Sequence, residues 1–241
     1  MKRLIALIAV CLTVAAVFLA GSALAYEPKD FYGSDVSEEE ANSLIALLDF
    51  KLEHEDNRSN KLECFDVRED GRIAVGSEKK LGRAHISVYD ADFNFLYGYS
   101  FKISGAYGLM WDGSDLAFFL VRGDIIFILN ENAEVIGVKN ASRTILQLGR
   151  LDETFCAAKH EVGGKVYKLG TAKWPLGAFA ASYSTLSVTE NGETRLLIDE
   201  SRAQSVRVIL ICALVVLAVI AFVICLVDQI KKNKASGTGK Q

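Results

Sequence analysis

The chain has 241 residues, with 27 Lys and Arg against 30 Asp and Glu, a formal net charge of −3. The imbalance is regional: residues 26–205 carry 20 basic against 29 acidic side chains, a net of −9, which argues against nucleic acid as a partner and against docking on anionic lipid. Those roughly 180 residues suffice for one domain with its own core, and the apolar material at both ends is accounted for separately.

Met1-Lys2-Arg3 is a short basic head before an apolar run over residues 4–20, followed by Gly21-Ser22 and Ala23-Leu24-Ala25. This is the layout of a secretory signal peptide (residues 1–25) cleaved before Tyr26; an uncleaved N-terminal anchor is the alternative. Cys11 follows Val10, where a lipidated cysteine needs a small residue.

Residues 26–61 are read as an acidic helix and a linker. Ser37-Glu38-Glu39-Glu40 fits a capping box, with three glutamates at the positive end of the helix dipole. Ala41, Leu44, Ile45, Leu48 and Leu52 follow at helical spacing and predict one amphipathic helix over 37–52, packed on the body or docking another protein. His54 to Asn60 reads as a polar break.

Residues 62–205 are predicted to be all-β and repetitive. Asp70-Gly71-Arg72-Ile73-Ala74-Val75 parallels Ser114-Asp115-Leu116-Ala117-Phe118, a tight turn before an apolar strand. Residues 86–96, ISVYDADFNFL, match residues 126–136, IFILNENAEVI, at an offset of 40. A looser third copy spans residues 152–193. The units begin near Leu62, Tyr107 and Thr144. In period and turn spacing residues 62–199 resemble blades of the β-propeller superfamily. The resemblance implies about three small antiparallel sheets stacked as an incomplete propeller, without the Gly-His…Trp-Asp pairing of WD40 repeats; a β-sandwich is the alternative. Continuous apolar runs over 116–121 and 125–129 predict that the middle unit is buried on both faces, with Phe118, Phe119, Phe127 and Leu129 deep inside. Strict alternation over 93–103 predicts that the odd-numbered residues are buried and the even ones exposed. The helix is the one cover the chain offers for an exposed edge.

Residues 208–227 form an uncharged apolar run of ~30 Å as a helix, enough for a bilayer's hydrocarbon core. A transmembrane helix is predicted over 206–228, with a basic cytoplasmic tail over 229–241. Lys231, Lys232, Lys234 and Lys240 hold the tail inside, so the body lies outside; Arg202 and Arg207 are a mild contrary signal. The expected location is the cell membrane, single-pass, or two-pass if the signal stays uncleaved.

Chemistry is sparse. Asp90-x-Asp92-x-Asn94 opens like a calcium loop, but Phe95 and Phe101 stand where glycine and the bidentate glutamate belong, so a hairpin turn is expected. His54, His85 and His160 have no zinc spacing. Cys156 and His160, four apart on a strand, lie ~13 Å apart, too far for proton transfer. Gly163-Gly164-Lys165 reads as a hairpin turn. Cys64 and Cys156 are the two cysteines in the exported part; a disulfide and two buried thiols are both open readings. Asn57 and Asn140 head glycosylation-type triplets, and Cys225 sits where acylation occurs. No catalytic, metal or cofactor set is predicted. Lys79, Lys80 and Arg83, in a loop over 76–84, and Trp174, in an insert, are the candidate binding residues.

The expected function is a membrane-anchored extracytoplasmic binding or sensing module without catalytic activity. The alternatives are a structural subunit of a membrane complex and an exported hydrolase. The expected partners are the lipid bilayer and another membrane or extracytoplasmic protein, or a second copy of the chain, with no nucleic acid.

Overall fold

The computed structural model describes residues 31–80, 82–141, 154–173, 177 and 182–237. The N-terminal segment predicted as a signal, the predicted start of the third unit at Thr144, and Trp174 lie outside these residues.

Three separate antiparallel sheets make up the body. Sheet I contains β3 (Leu62–Val67), β4 (Ile73–Lys80), β5 (Arg83–Tyr89) and β6 (Phe95–Phe101) in sequential order, with β2 (Lys51–Glu53) added beside β6. Sheet II repeats the plan with β7 (Tyr107–Asp112), β8 (Asp115–Leu120), β9 (Ile125–Leu129) and β10 (Val135–Ala141), and β1 (Tyr32–Asp35) beside β10. Sheet III is β11 (Lys159–Val162), β12 (Lys165–Gly170), β13 (Thr185–Glu190) and β14 (Glu193–Asp199); among the described residues no fifth strand lies beside β14. Strands β3 and β7 begin at the Leu62 and Tyr107 predicted for the first two units.

The two segments matched at an offset of 40 occupy equivalent positions, joining third to fourth strand in sheets I and II. In one, the Asp90 carboxylate accepts from the amides of Asp92 and Asn94, and Phe93 takes φ 67°. In the other, Asn130 accepts from the amides of Asn132 and Glu134, and Ala133 takes φ 62°. Asx-type hydrogen bonds hold a left-handed residue that is not glycine. Because both turns rest on one side chain, Asp90→Ala and Asn130→Ala should each lower unfolding stability, with equal effects within error in denaturant titrations. The third sheet replaces this turn with the two-residue Asn191-Gly192, both at positive φ.

The stacking order differs from the sequence expectation. The first unit, not the second, is the central layer. One face of sheet I (Cys64, Ile86, Val88, Tyr99, Phe101) packs on sheet II (Leu109, Leu116, Phe118, Phe127, Leu129). Its other face (Phe65, Val67, Ile73, Val75) packs on sheet III (Tyr167, Leu169, Leu186, Ile198). Phe118, Phe119, Phe127 and Leu129 are nonetheless all within 1% of full burial. The outer face of sheet II is covered instead by Phe31 and Phe155, which meet each other, with Phe155 against Phe119. Gly108 admits this cover: a Cβ there would fall 2.5 Å from the Phe155 carbonyl oxygen.

The alternation in β6 holds only at its start. Leu96 is exposed between half-buried Phe95 and Tyr97, but residues 98–101 are buried on both faces. Strand β2 pairs Lys51 with Ser100, and the Arg83 guanidinium donates to the Ser100 hydroxyl and carbonyl, covering the predicted solvent face.

Helix α1 (Glu38–Leu48) starts where predicted, with the Ser37 hydroxyl accepting from the Glu40 amide. It stops earlier. Asp49 turns left-handed at φ 49°, and Leu52 lies on β2 rather than on the helix. Ala41, Leu44, Ile45 and Leu48 face the core between sheets I and II, and Phe50 follows them in against Phe101, Phe118 and Phe127. Helix α2 runs Ser201–Gly237.

Candidate functional site

The first strands of the three sheets converge, and their junction buries an acid. Asp66 on β3 is 7% exposed. One carboxylate oxygen accepts from the Trp111 amide of β7 at 2.7 Å; the other accepts from its neighbour Val67 at 2.8 Å and lies 3.1 Å from His160 Nδ1 on β11. A single carboxylate therefore ties three sheets together. Burial raises the Asp66 pKa above the usual carboxylate range, opposed by His160 and the two amides. His160 Nε2 and the Trp111 indole nitrogen are buried with no hydrogen-bond partner among the described residues. Arg68 stacks over Trp111 with its guanidinium 5.0 Å from the ring centroid.

An aspartate orienting a histidine is the geometry that prepares an imidazole as a base. Here the far nitrogen is sealed from solvent, and among the described residues no nucleophilic side chain bonds to it. The arrangement is a polar pin through the stack. Cys156, considered with His160 in the sequence, points elsewhere: its Sγ lies 3.7 Å from the Tyr107 carbonyl oxygen. Cys64 is buried where Gly76 leaves room; a Cβ on Gly76 would sit 2.6 Å from its sulfur. The two cysteines are not joined in a disulfide.

The turns at one end of the stack are tied by charge. Arg68 pairs with Asp70 and reaches the Ser114 carbonyl, and Arg72 bridges to Glu131. The Arg68 guanidinium, foremost, pulls the Asp70 pKa from 3.8 to about 2. A depressed carboxyl contributes stability above its unfolded pKa and loses it as pH falls through the folded one. Acidification from about pH 4 to about 2 should therefore weaken these turns. Asp70→Asn should flatten the stability–pH slope in that window by ~0.5 kcal/mol, the scale of an exposed pair, as read from urea unfolding at each pH.

Helix α2 leaves from the opposite end, and its first two turns are built into the body. Gln204 is 6% exposed; its side-chain oxygen accepts from the Ala172 amide at 2.5 Å and the Ser184 hydroxyl at 2.8 Å, and its nitrogen donates to the Ser182 carbonyl. Val208 is buried, and Arg207 donates to Asn60. The carboxylate of Asp199 accepts from the Ser201 amide at the positive end of the helix. From there to Leu226 the helix is long and apolar enough to cross a membrane, and only 6% of its most apolar window is buried. A core helix of a soluble domain would be mostly buried.

The segment read as a polar break is a structured strap beside this junction. The Asp56 carboxylate accepts from Ser87 and Tyr89 and pairs with Arg58, which also faces Glu200 at 3.9 Å. The Ser59 amide donates to Ser77, and Lys61 pairs with Glu78. Sequence reading missed Asp56, Arg58 and Gln204, since a short run of polar residues carries no periodicity. Asp66 did leave a signal: it is an acid inside the apolar strand residues 62–67, LECFDV.

The predicted binding residues are dispersed. The segment 76–84 is not an open loop but the tight β4–β5 hairpin, with Lys80 paired to Arg83 in the ladder. Arg83 is occupied by Asp49 and Ser100. Lys79 lies on β4, Lys80 is exposed, and Trp174 is outside the described residues. Residues 163–164 form the β11–β12 turn. Among the described residues no group of three or more His, Cys, Asp or Glu is placed to hold a metal.

No known family model matches the chain, and no curated protein matches it. Among solved structures it is similar to Kluyvelomyces marxianus Hsv2, with a TM-score of 0.26 and 9% identity over 57% of this chain and 48% of that one. The match spans about half of that protein, and at this similarity it establishes neither fold nor family.

Proposed function

We propose that the chain is a membrane-anchored binding module, displayed outside the membrane on one transmembrane helix, whose three sheets are blades of an open, propeller-like stack. The observation that carries this reading is the burial of Gln204. A simple tether would leave the first turns of the helix exposed, whereas here they are hydrogen-bonded to the segments flanking β12 and β13. The body is thus held as a fixed head, and the turns bound by Arg68 and Arg72 face away from the helix. The basic residues after the span, Lys231, Lys232 and Lys234, favour a cytoplasmic C-terminus. The contrary charge of Arg207 is engaged by Asn60 on the body side. The polar pin at Asp66 supports a rigid scaffold rather than a catalytic role.

Cysteine labelling of intact cells with a membrane-impermeant maleimide tests the topology. A cysteine at exposed Ser114 is expected to react, and one at Ser236 only after permeabilisation. Reaction at Ser236 in intact cells would overturn the reading.

A further inference from the structure

Sheets I and II each carry a short fifth strand along the outer edge of their fourth strand: β2 on β6, and β1 on β10. The corresponding edge of sheet III, along β14, has no such strand among the described residues. The two-residue turn makes Glu190–Glu193 and Val188–Arg195 the hydrogen-bonded pairs of this hairpin. The amides and carbonyls of Thr194 and Leu196 therefore point outward, and residues 193–196 are exposed. Beside this edge lies a groove of about 260 Å³ between sheets I and III. It is lined by Ile73 and Ala91 on one side and by Tyr167, Val188, Arg195 and Leu197 on the other. Arg195 has no ion pair among the described residues, while Lys165, on β12 of the same sheet, is paired with Glu190.

We propose that the edge of β14 receives an extended, acid-bearing segment of a different protein, adding a fifth strand to sheet III. An added strand places alternate side chains over the groove. One carboxylate then meets Arg195, and its neighbours two residues away meet the apolar lining at Leu197 and Ile73. The fold already uses this mode of edge covering twice within itself, with strands of four and three residues. The proposal deepens the binding-module reading by naming the kind of partner.

The probe is a fluorescein-labelled peptide of sequence Thr-Val-Thr-Glu-Thr-Val-Thr, with a version carrying Lys in place of Glu, titrated against the full chain in detergent micelles. The glutamate peptide is expected to bind saturably and about tenfold tighter than the lysine peptide, ~1.4 kcal/mol. Thr194→Pro should abolish binding. It removes an outward donor and the exposed hydroxyl contact to Thr189 but no ladder bond, so its unfolding free energy should stay within ~0.5 kcal/mol of wild type. Arg195→Glu should reverse the preference between the peptides without depending on Thr194→Pro. Equal binding of both peptides, or binding indifferent to Thr194→Pro, would overturn the proposal. So would a dimer of the wild-type chain that Thr194→Pro dissociates, since a second copy would then own the edge. The assay does not depend on which side of the membrane the body occupies, so its failure and a reversed topology are separate results.

Discussion

Replacing Phe118 with alanine is expected to lower the unfolding free energy of the body by ~3–5 kcal/mol, the range for a fully buried aromatic whose neighbours cannot collapse into the void. Phe118 is completely buried at the centre of an aromatic cluster drawn from three sources. Its ring lies 4.6 Å from Phe101 of sheet I, 5.3 Å from Tyr107 of sheet II and 5.6 Å from Phe50, which follows α1. The cavity would thus open where both sheets and the helix meet, and no one element can shift to fill it. Urea unfolding of the full chain in detergent measures the loss. Ile136→Ala on the exposed part of β10 is the control, expected within ~0.5 kcal/mol of wild type. A loss below ~1 kcal/mol at Phe118 would show that sheets I and II do not share this core.

The second large effect is expected at Gln204. Gln204→Leu keeps the side chain's bulk but removes the partner of the Ala172 amide, the Ser182 carbonyl and the Ser184 hydroxyl, all at a buried helix–sheet contact. Leaving buried polar groups unpaired costs ~1–3 kcal/mol each before relaxation, and such effects are not additive. An overall loss of ~2–4 kcal/mol is expected, concentrated at the junction. Hydrogen exchange should accelerate at Ala172 and in the first two turns of α2 while the β3–β4 ladder stays protected. Uniform acceleration across the body would mean that Gln204 supports the fold rather than the junction.

The repeats were legible because their turns depend on single residues at fixed spacing. Asp90 and Asn130 each hold two amides, and no tertiary context is needed to see the match. The order of the layers was not legible. Continuous apolar runs in β8 and β9 suggested burial between neighbouring sheets, but the outer face of sheet II is covered by Phe31, which precedes the repeats, and by Phe155, which precedes the first strand of sheet III. The central position of sheet I was masked because the alternation over 93–103 reads as a strand with one solvent face until β2 and Arg83 are known to cover it. The helix boundary failed for a similar reason: Leu52 continues the apolar stripe by spacing alone, while Asp49 adopts a left-handed cap that leads directly into β2. The binding residues chosen for loop-like composition included Arg83, which pairs with Asp49 across 34 residues of sequence. The strap over residues 54–61 was legible only as polarity, since its order comes from Ser77, Ser87 and Tyr89, which lie on other strands.

The central claim is that the β-body is fixed on its C-terminal apolar helix rather than tethered to it. Nitroxide labels at Ser114, on the turns remote from the helix, and at Val219, within the apolar span, test it in lipid nanodiscs by double electron–electron resonance. The native cysteines are replaced by serine for this purpose. One narrow distance distribution is predicted, broadening when Gln204→Leu is introduced. A broad distribution in the otherwise unaltered protein, unchanged by Gln204→Leu, would contradict the account.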